Sequence, residues 1–294
     1  MRRLALALAC LAGPGAAQDF DKIGALFLDR CVVCHSGEDA PLGLRLDTLE
    51  GVLAGSENGP VVVAGDVASP LLMRLRGEAE PQMPLDGPPF LDPEQIAMVE
   101  AWVMAGLPVW SGAGIPPVAE RRRPAPGEPV LFPDVQPIFL KACVKCHSDN
   151  SKLGAPPEGL RLDTLENILN GGDRLAVLPG NPEMSEIWRR VVGLADPRMP
   201  FDGPPWLPEE DIRLIRDWIA QGAPDAEGVA APIPDGGFVR LRGVLTGEAE
   251  IDGAAFVIDG QTRVDDRPRI GDQAEMRGVV QADGTVRAER FRDR

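Results

Sequence analysis

The chain contains two histidines, and each directly follows two cysteines spaced three apart: Cys31-Val-Val-Cys34-His35 and Cys143-Val-Lys-Cys146-His147. Thiols at i and i+3 share one helical turn, so both can add across the vinyl groups of a single haem. The adjacent imidazole then lies under the iron as its proximal ligand. A Cys-x-x-Cys pair has three other readings: a disulfide, a thioredoxin-like redox pair, or a zinc site assembled from both motifs. Zinc would need the Cys and His sets of two separated segments to meet. The placement of both histidines in the same position after both pairs favours haem.

An iron so held has a sixth position. With no third His, a bis-His site is excluded for both irons, and Met is the next candidate. Self-comparison shows which Met. LRLDTLE at 44–50 returns at 160–166, and MPLDGPPFL at 83–91 returns as MPFDGPPWL at 199–207, both displaced by 116 residues. In this register Met73 faces Arg189, Met98 faces Leu214 and Met104 faces Ala220, whereas Met83 and Met199 coincide. Met83 and Met199 are the candidate sixth ligands; a Met filling a gap in the core is the alternative reading. Arg45 and Arg161, in the shared GLRLD, are candidate partners for haem propionates, with an exposed structural Arg as the alternative. Asp86 and Asp202 read as stabilisers of the DGPP turn.

These residues need helices to carry them. Phe20, Ile23 and Phe27 recur at helical spacing before the first Cys pair, and Val135, Ile138 and Phe139 before the second, where Pro137 is read as marking the first turn. Each unit closes with another helix. In the first, Asp92 is the expected N-cap, Pro93 the first helical residue, and Ile96, Val99, Trp102 and Val103 one face. Ile212, Ile215, Trp218 and Ile219 form the equivalent face, though Leu207 is a poor cap. Gly106 and Gly222 supply the stops. Trp102 and Trp218 are expected to pack on the first helix of each unit.

The 294 residues divide as a leader (1–17), a first unit (18–107), a Pro/Gly-rich linker (108–129), a second unit (130–224), a short linker (225–237) and a tail (238–294). In the leader, Arg2 and Arg3 precede an apolar run from Leu4 to Ala12 and a plausible cut at Gln18, the pattern of a secretory signal. A lipoprotein with Cys10 as the modified residue is the rival. No stretch approaches the roughly 20 apolar residues of a membrane span, so no transmembrane anchor is expected. The tail's β-prone runs, punctuated by Asp252-Gly253, Asp259-Gly260 and Asp283-Gly284, predict a small all-β domain. The formal charge of −15 argues against nucleic acid as a partner.

With CxxCH, GLRLDT, the Met-Pro pair and a closing helix ending W-x-x-x-G in each, the two units resemble cytochrome c-like modules of the planctomycete type. The tail resembles small β-barrel domains of exported bacterial proteins. The resemblance implies a mainly α protein: two tandem cytochrome c-like helical haem domains, then a barrel-like domain. It implies two covalently attached haem c groups, bound through Cys31, Cys34, Cys143 and Cys146. His35 and Met83 would be axial ligands of one iron, His147 and Met199 of the other. The expected protein is a periplasmic electron carrier rather than an enzyme, with no catalytic residues. Its acidic surface would meet electron donor and acceptor proteins through their basic docking faces. The alternatives are a di-haem enzyme with one open iron, peroxidase-like or oxidising a small molecule, and a haem-based sensor or binding module.

Overall fold

The computed structural model describes residues 21–37, 40–108, 123–151 and 153–294. The leader, with Cys10 and Phe20, and most of the first linker lie outside the described residues. The first unit contains α1 (Asp21–Arg30), α2 (Leu49–Ala54), α3 (Pro70–Leu75) and α4 (Pro93–Met104). The second repeats them as α5 (Phe132–Ala142), α6 (Leu165–Asn170), α7 (Glu186–Val192) and α8 (Glu209–Ala220). The tail forms a six-stranded sheet from β1 (Phe238–Gly247), β2 (Glu250–Ile251), β3 (Ala254–Ala255), β4 (Arg263–Asp265), β5 (Gln273–Val280) and β6 (Val286–Asp293). Its strand order is β3-β2-β1-β5-β6-β4, antiparallel except for β4 with β6.

The expectation of a mainly α protein is therefore corrected. Helix accounts for 29% and strand for 15%, so the class is mixed. The middle helices of each unit run only six or seven residues between long Pro- and Gly-rich loops, while the tail commits whole strands to a sheet. Short helices are marginal alone and hold only by packing.

Local chemistry explains the element ends. The Asp92 carboxylate accepts from Gln95 N at 2.8 Å and Gln95 Oε1 accepts from Asp92 N at 3.0 Å, a reciprocal cap for α4. Its counterpart α8 follows Pro208, which offers no side-chain cap. Glu209, Glu210 and Asp211 fill its first turn instead, facing the positive end of the helix dipole. Gly106 and Gly222, at φ +88° and +93°, end the two helices in the left-handed region. The shared Thr of DTLE caps α2 and α6: Thr48 Oγ1 accepts from Gly51 N and Thr164 Oγ1 from Asn167 N. One expectation fails locally. Pro133, not Pro137, occupies the first turn of α5, and Pro137 lies inside the helix.

In each unit the first and last helices cross at a fully buried tryptophan. Trp102 meets Phe27 edge-on, ring centroids 6.2 Å apart, and Trp218 meets Phe139 at 6.0 Å. Their indole N–H groups donate to Pro108 O and Pro224 O, both at 3.0 Å. The tryptophans thus pack on the first helices, as expected.

The sheet has its own core of Val239, Leu241, Met276, Val286, Phe291 and their neighbours, and this core also takes in Leu178 and Met184 from the second unit. Leu175 N donates to Phe238 O at 2.9 Å, and the Arg189 guanidinium, fully buried, pairs with Asp252 at 2.7 Å. The sheet is thereby fastened to the second unit.

Candidate haem-binding sites

Both CxxCH motifs continue the helices before them. Cys31 N donates to Phe27 O, and His35 N to Cys31 O at 2.9 Å; Cys143 N and His147 N make the same bonds with Phe139 O and Cys143 O. One turn therefore carries both thiols and the imidazole, as the attachment chemistry requires. The four thiols are unbridged. Burial pushes the Cys31 and Cys143 thiols up to about 12, which holds them protonated.

The GLRLD segment clamps each histidine twice. Leu46 N donates to His35 O and Leu162 N to His147 O, both at 2.8 Å. The rings in turn face carbonyls: His35 Nδ1 lies 3.3 Å from Leu44 O, and His147 Nδ1 lies 3.1 Å from Leu160 O. A carbonyl oxygen can only accept, so each Nδ1 carries the proton and each Nε2 keeps its lone pair. This is the arrangement by which a protein orients a metal-ligating imidazole. Burial, the largest influence, lowers both imidazole pKa values and keeps the rings neutral. The repeated Leu residues thus have a reason to recur: their backbone groups hold the ring while Leu46 and Leu162 fill the core.

Met83 and Met199 border the same cores as the cysteines. Cys31, Leu44 and Met83 pack on the core of the first unit, and Cys143, Leu160 and Met199 on that of the second. The backbone of each Met is anchored to the preceding helix, Met83 N to Arg74 O at 3.0 Å and Met199 N to Arg190 O at 3.1 Å. Within the DGPP turns, a Cβ on Gly87 or Gly203 would lie 2.3 Å from the ring of Phe90 or Trp206, so the close ring explains the glycine.

Two contacts escaped the repeat comparison because they are not repeated in kind. Arg30 Nη2 donates to Pro89 O at 2.9 Å, tying the end of α1 to the first Met-bearing loop. In the second unit Lys145, inside the CxxCH motif, pairs with Asp202 for the same purpose. Asp202 is therefore more than a turn residue. Arg45 and Arg161 are half-exposed and pair with Asp47 and Asp149. The structure gives each a carboxylate partner within its own unit.

Among the described residues, no three His, Cys, Asp or Glu side chains converge to hold a metal ion by themselves. A haem iron asks less of the chain, because its porphyrin supplies the four in-plane ligands and leaves only axial positions to the protein. The donor set fits haem in both units.

Residues 31–87 and 143–203 match the family described as Planctomycete cytochrome C. The repeated unit is similar to a cytochrome c-like module. Each match runs from the first Cys of the motif to the Gly of the DGPP turn, so it spans the His clamp and the Met loop and stops before α4 and α8. It supports a haem-binding, cytochrome-like protein. Comparisons with curated proteins and with solved structures gave no match. No helix among the described residues is long and apolar enough to cross a membrane.

Proposed function

We propose that the protein is an exported di-haem c-type cytochrome that carries electrons between periplasmic donor and acceptor proteins. The observation carrying this reading is the duplicated clamp: in both modules a GLRLD carbonyl fixes Nδ1 of the motif histidine and leaves Nε2 free. Cys31 and Cys34 would hold one haem and Cys143 and Cys146 the other, with His35 and Met83, and His147 and Met199, as axial ligands. Haem iron supplies a one-electron couple, and a thioether ligand favours its reduced state.

The remaining work belongs to the chain. Leu44 and Leu160 orient the imidazoles. The Arg30–Pro89 and Lys145–Asp202 contacts hold the Met loops against the motif turns. The cores around Trp102 and Trp218 keep water out. The leader supports export to the compartment where thiols are attached to haem, and the tail reads as a small barrel-like domain. The acidity of the modules, 18 basic against 34 acidic residues over 18–235, favours a basic partner there.

Intact mass of protein matured with haem, followed by carbon monoxide addition to the reduced form, tests the reading. The expected result is two covalently attached haems and no change in the visible spectrum. A single haem would refute the di-haem assignment. A carbon monoxide complex on half of the haem would refute Met ligation at one site and move the protein to the enzyme or sensor class.

A further inference from the structure

The tail as a whole is nearly neutral, with 10 Arg against 11 acidic residues, but its charge is sorted by face. Strand register places Arg240, Arg277, Arg290 and Arg263 in one row across β1, β5, β6 and β4. The adjacent row on the same face, two residues along each strand, is Arg242, Glu275, Arg292 and Asp265. Six of the ten arginines and two of the eleven acids thus occupy eight neighbouring positions. The other face of these strands carries Val239, Leu241, Ala274, Met276 and Phe291 into the core, so the pleat sends every one of these arginines outward.

The two acids do not neutralise the face. Glu275 is spent on Arg242, Arg277 and Arg292 at 2.6, 2.8 and 3.0 Å, and lies buried beneath them. Asp265 is shared by Arg263 and Arg290. Arg240 makes no ion pair or hydrogen bond among the described residues. Burial, then the like charges of Arg174 and Arg242, holds its guanidinium below the ordinary value. Such crowding calls for an external carboxylate. A guanidinium fork grips one with two parallel bonds. Arg240 stands at the end of its row nearest the second module. There Phe238 O accepts from Leu175 N and Arg242 O from the Arg189 guanidinium, so the face borders the second module.

We propose that this arginine face is the docking surface for a carboxylate-rich patch on a redox partner protein. Its position would bring such a partner beside the second module, while the acidic modules are left for a partner of opposite charge. The partner's being a redox protein rests on the electron-carrier reading; the affinity of the face for an acidic polypeptide does not, so the two can fail separately.

The test measures binding of poly-L-glutamate to the full-length protein by calorimetry, at about 0.02 M and about 0.2 M salt. The variant Arg240→Gln/Arg277→Gln/Arg290→Gln removes three charges from the first row. Lys22→Gln/Arg123→Gln/Arg216→Gln removes as many elsewhere. The row variant should bind at least about tenfold more weakly at low salt and lose most of the salt dependence, and the control should stay within about twofold. An Arg240→Lys/Arg277→Lys/Arg290→Lys variant, which keeps the charge and loses the planar fork, should fall between. It also carries the test if the Gln variant does not fold. Equal binding by parent and row variants would overturn the proposal. So would row-dependent binding to phosphatidylglycerol vesicles at least as tight as to poly-L-glutamate, which would assign the face to a membrane.

Discussion

The second module differs from the first at one buried position that decides how the sheet is held. Where α3 has Met73, α7 has Arg189, fully buried, with Nη2 donating to Asp252 Oδ2 at 2.7 Å and to Arg242 O at 2.9 Å. Arg189→Met restores the residue of the first module and leaves the Asp252 carboxylate facing apolar surface. Removing one partner of a buried ion pair costs about 3–5 kcal/mol. Two features place the expected cost at the low end. Asp252 keeps its bond from Val244 N and retains 12% exposure, so water can reach it, and Arg189 Nε has no partner even in the parent. We expect a loss of about 3 kcal/mol in the fastening of sheet to module.

Asp252→Asn should cost a similar amount, because it strands the guanidinium. Asparagine suits this position, where φ is +48°. The double variant removes both charges and should cost about 1–2 kcal/mol, far less than the sum, because a buried pair replaced as a pair approaches neutrality. All five tryptophans precede residue 238 in the sequence and none falls in the tail, so fluorescence reports mainly on the rest of the chain. Amide hydrogen exchange over α7, β1 and β2, with urea unfolding followed by circular dichroism, reads the junction directly. Single losses below about 1 kcal/mol, or a double variant equal to the sum, would refute the argument that this pair fastens the sheet.

Two further outcomes follow from the sheet. A Cβ at Gly243 would stand 1.7 Å from Asp252 Oδ2, so Gly243→Ala should push the carboxylate off Arg189; it should destabilise the same exchange segments by about 1–3 kcal/mol, and by less when Arg189 is already Met. Burial pushes the Glu275 carboxyl up, but its three arginines outweigh burial and hold it at about 2, below the ordinary 4.5. Because the folded value is the lower one, its contribution is complete above about pH 4.5 and disappears as pH falls through about 2. With arginines about one-third exposed, we expect Glu275→Gln to cost about 1–2 kcal/mol at neutral pH and almost nothing near pH 2. Melting curves across that range check it, and a cost independent of pH would contradict the ion-pair origin.

Much of the candidate site was legible because the chain states it twice. The duplicated CxxCH and Met-Pro-x-Asp-Gly-Pro-Pro segments identified the motif residues and the Met loops without coordinates, and the Asp92 cap and Trp102 packing followed from local rules. The duplicated GLRLD pointed only to its arginines, because the carbonyls that hold the imidazoles are backbone groups whose direction no side chain announces. The overall class was not legible in the same way. Helical periodicity around the cysteines says nothing of how much of each unit is loop, and the units proved to have only short middle helices. Contacts made once were invisible to self-comparison. Lys145 occupies the place of Val33, so its pairing with Asp202 had no echo in the first unit. Arg189 registered only as a mismatch with Met73. The sorting of arginines depended on strand register, which composition averages away: a nearly neutral tail concealed a strongly basic face.

That asymmetry bears on how two near-identical sites can behave differently. The His clamps agree in every bond, so differences between the sites must come from what surrounds them. The first site borders the second module: Lys141 adds to the burial that lowers His35, Asp163 acts on Asp86, and the Asn150 amide donates to Gln82 O beside Met83. The second site lies in the module fastened to the sheet through Leu175–Phe238 and Arg189–Asp252, and there Arg190 and Glu158 act on His147. The modules and sheet are thus joined in series, each site lying near a junction with the next body. A charge placed at one junction acts chiefly on one site, because interactions between exposed charges fade over about 10 Å at ordinary salt. Duplication supplied two equal sites, and the unequal junctions give each its own electrostatic field.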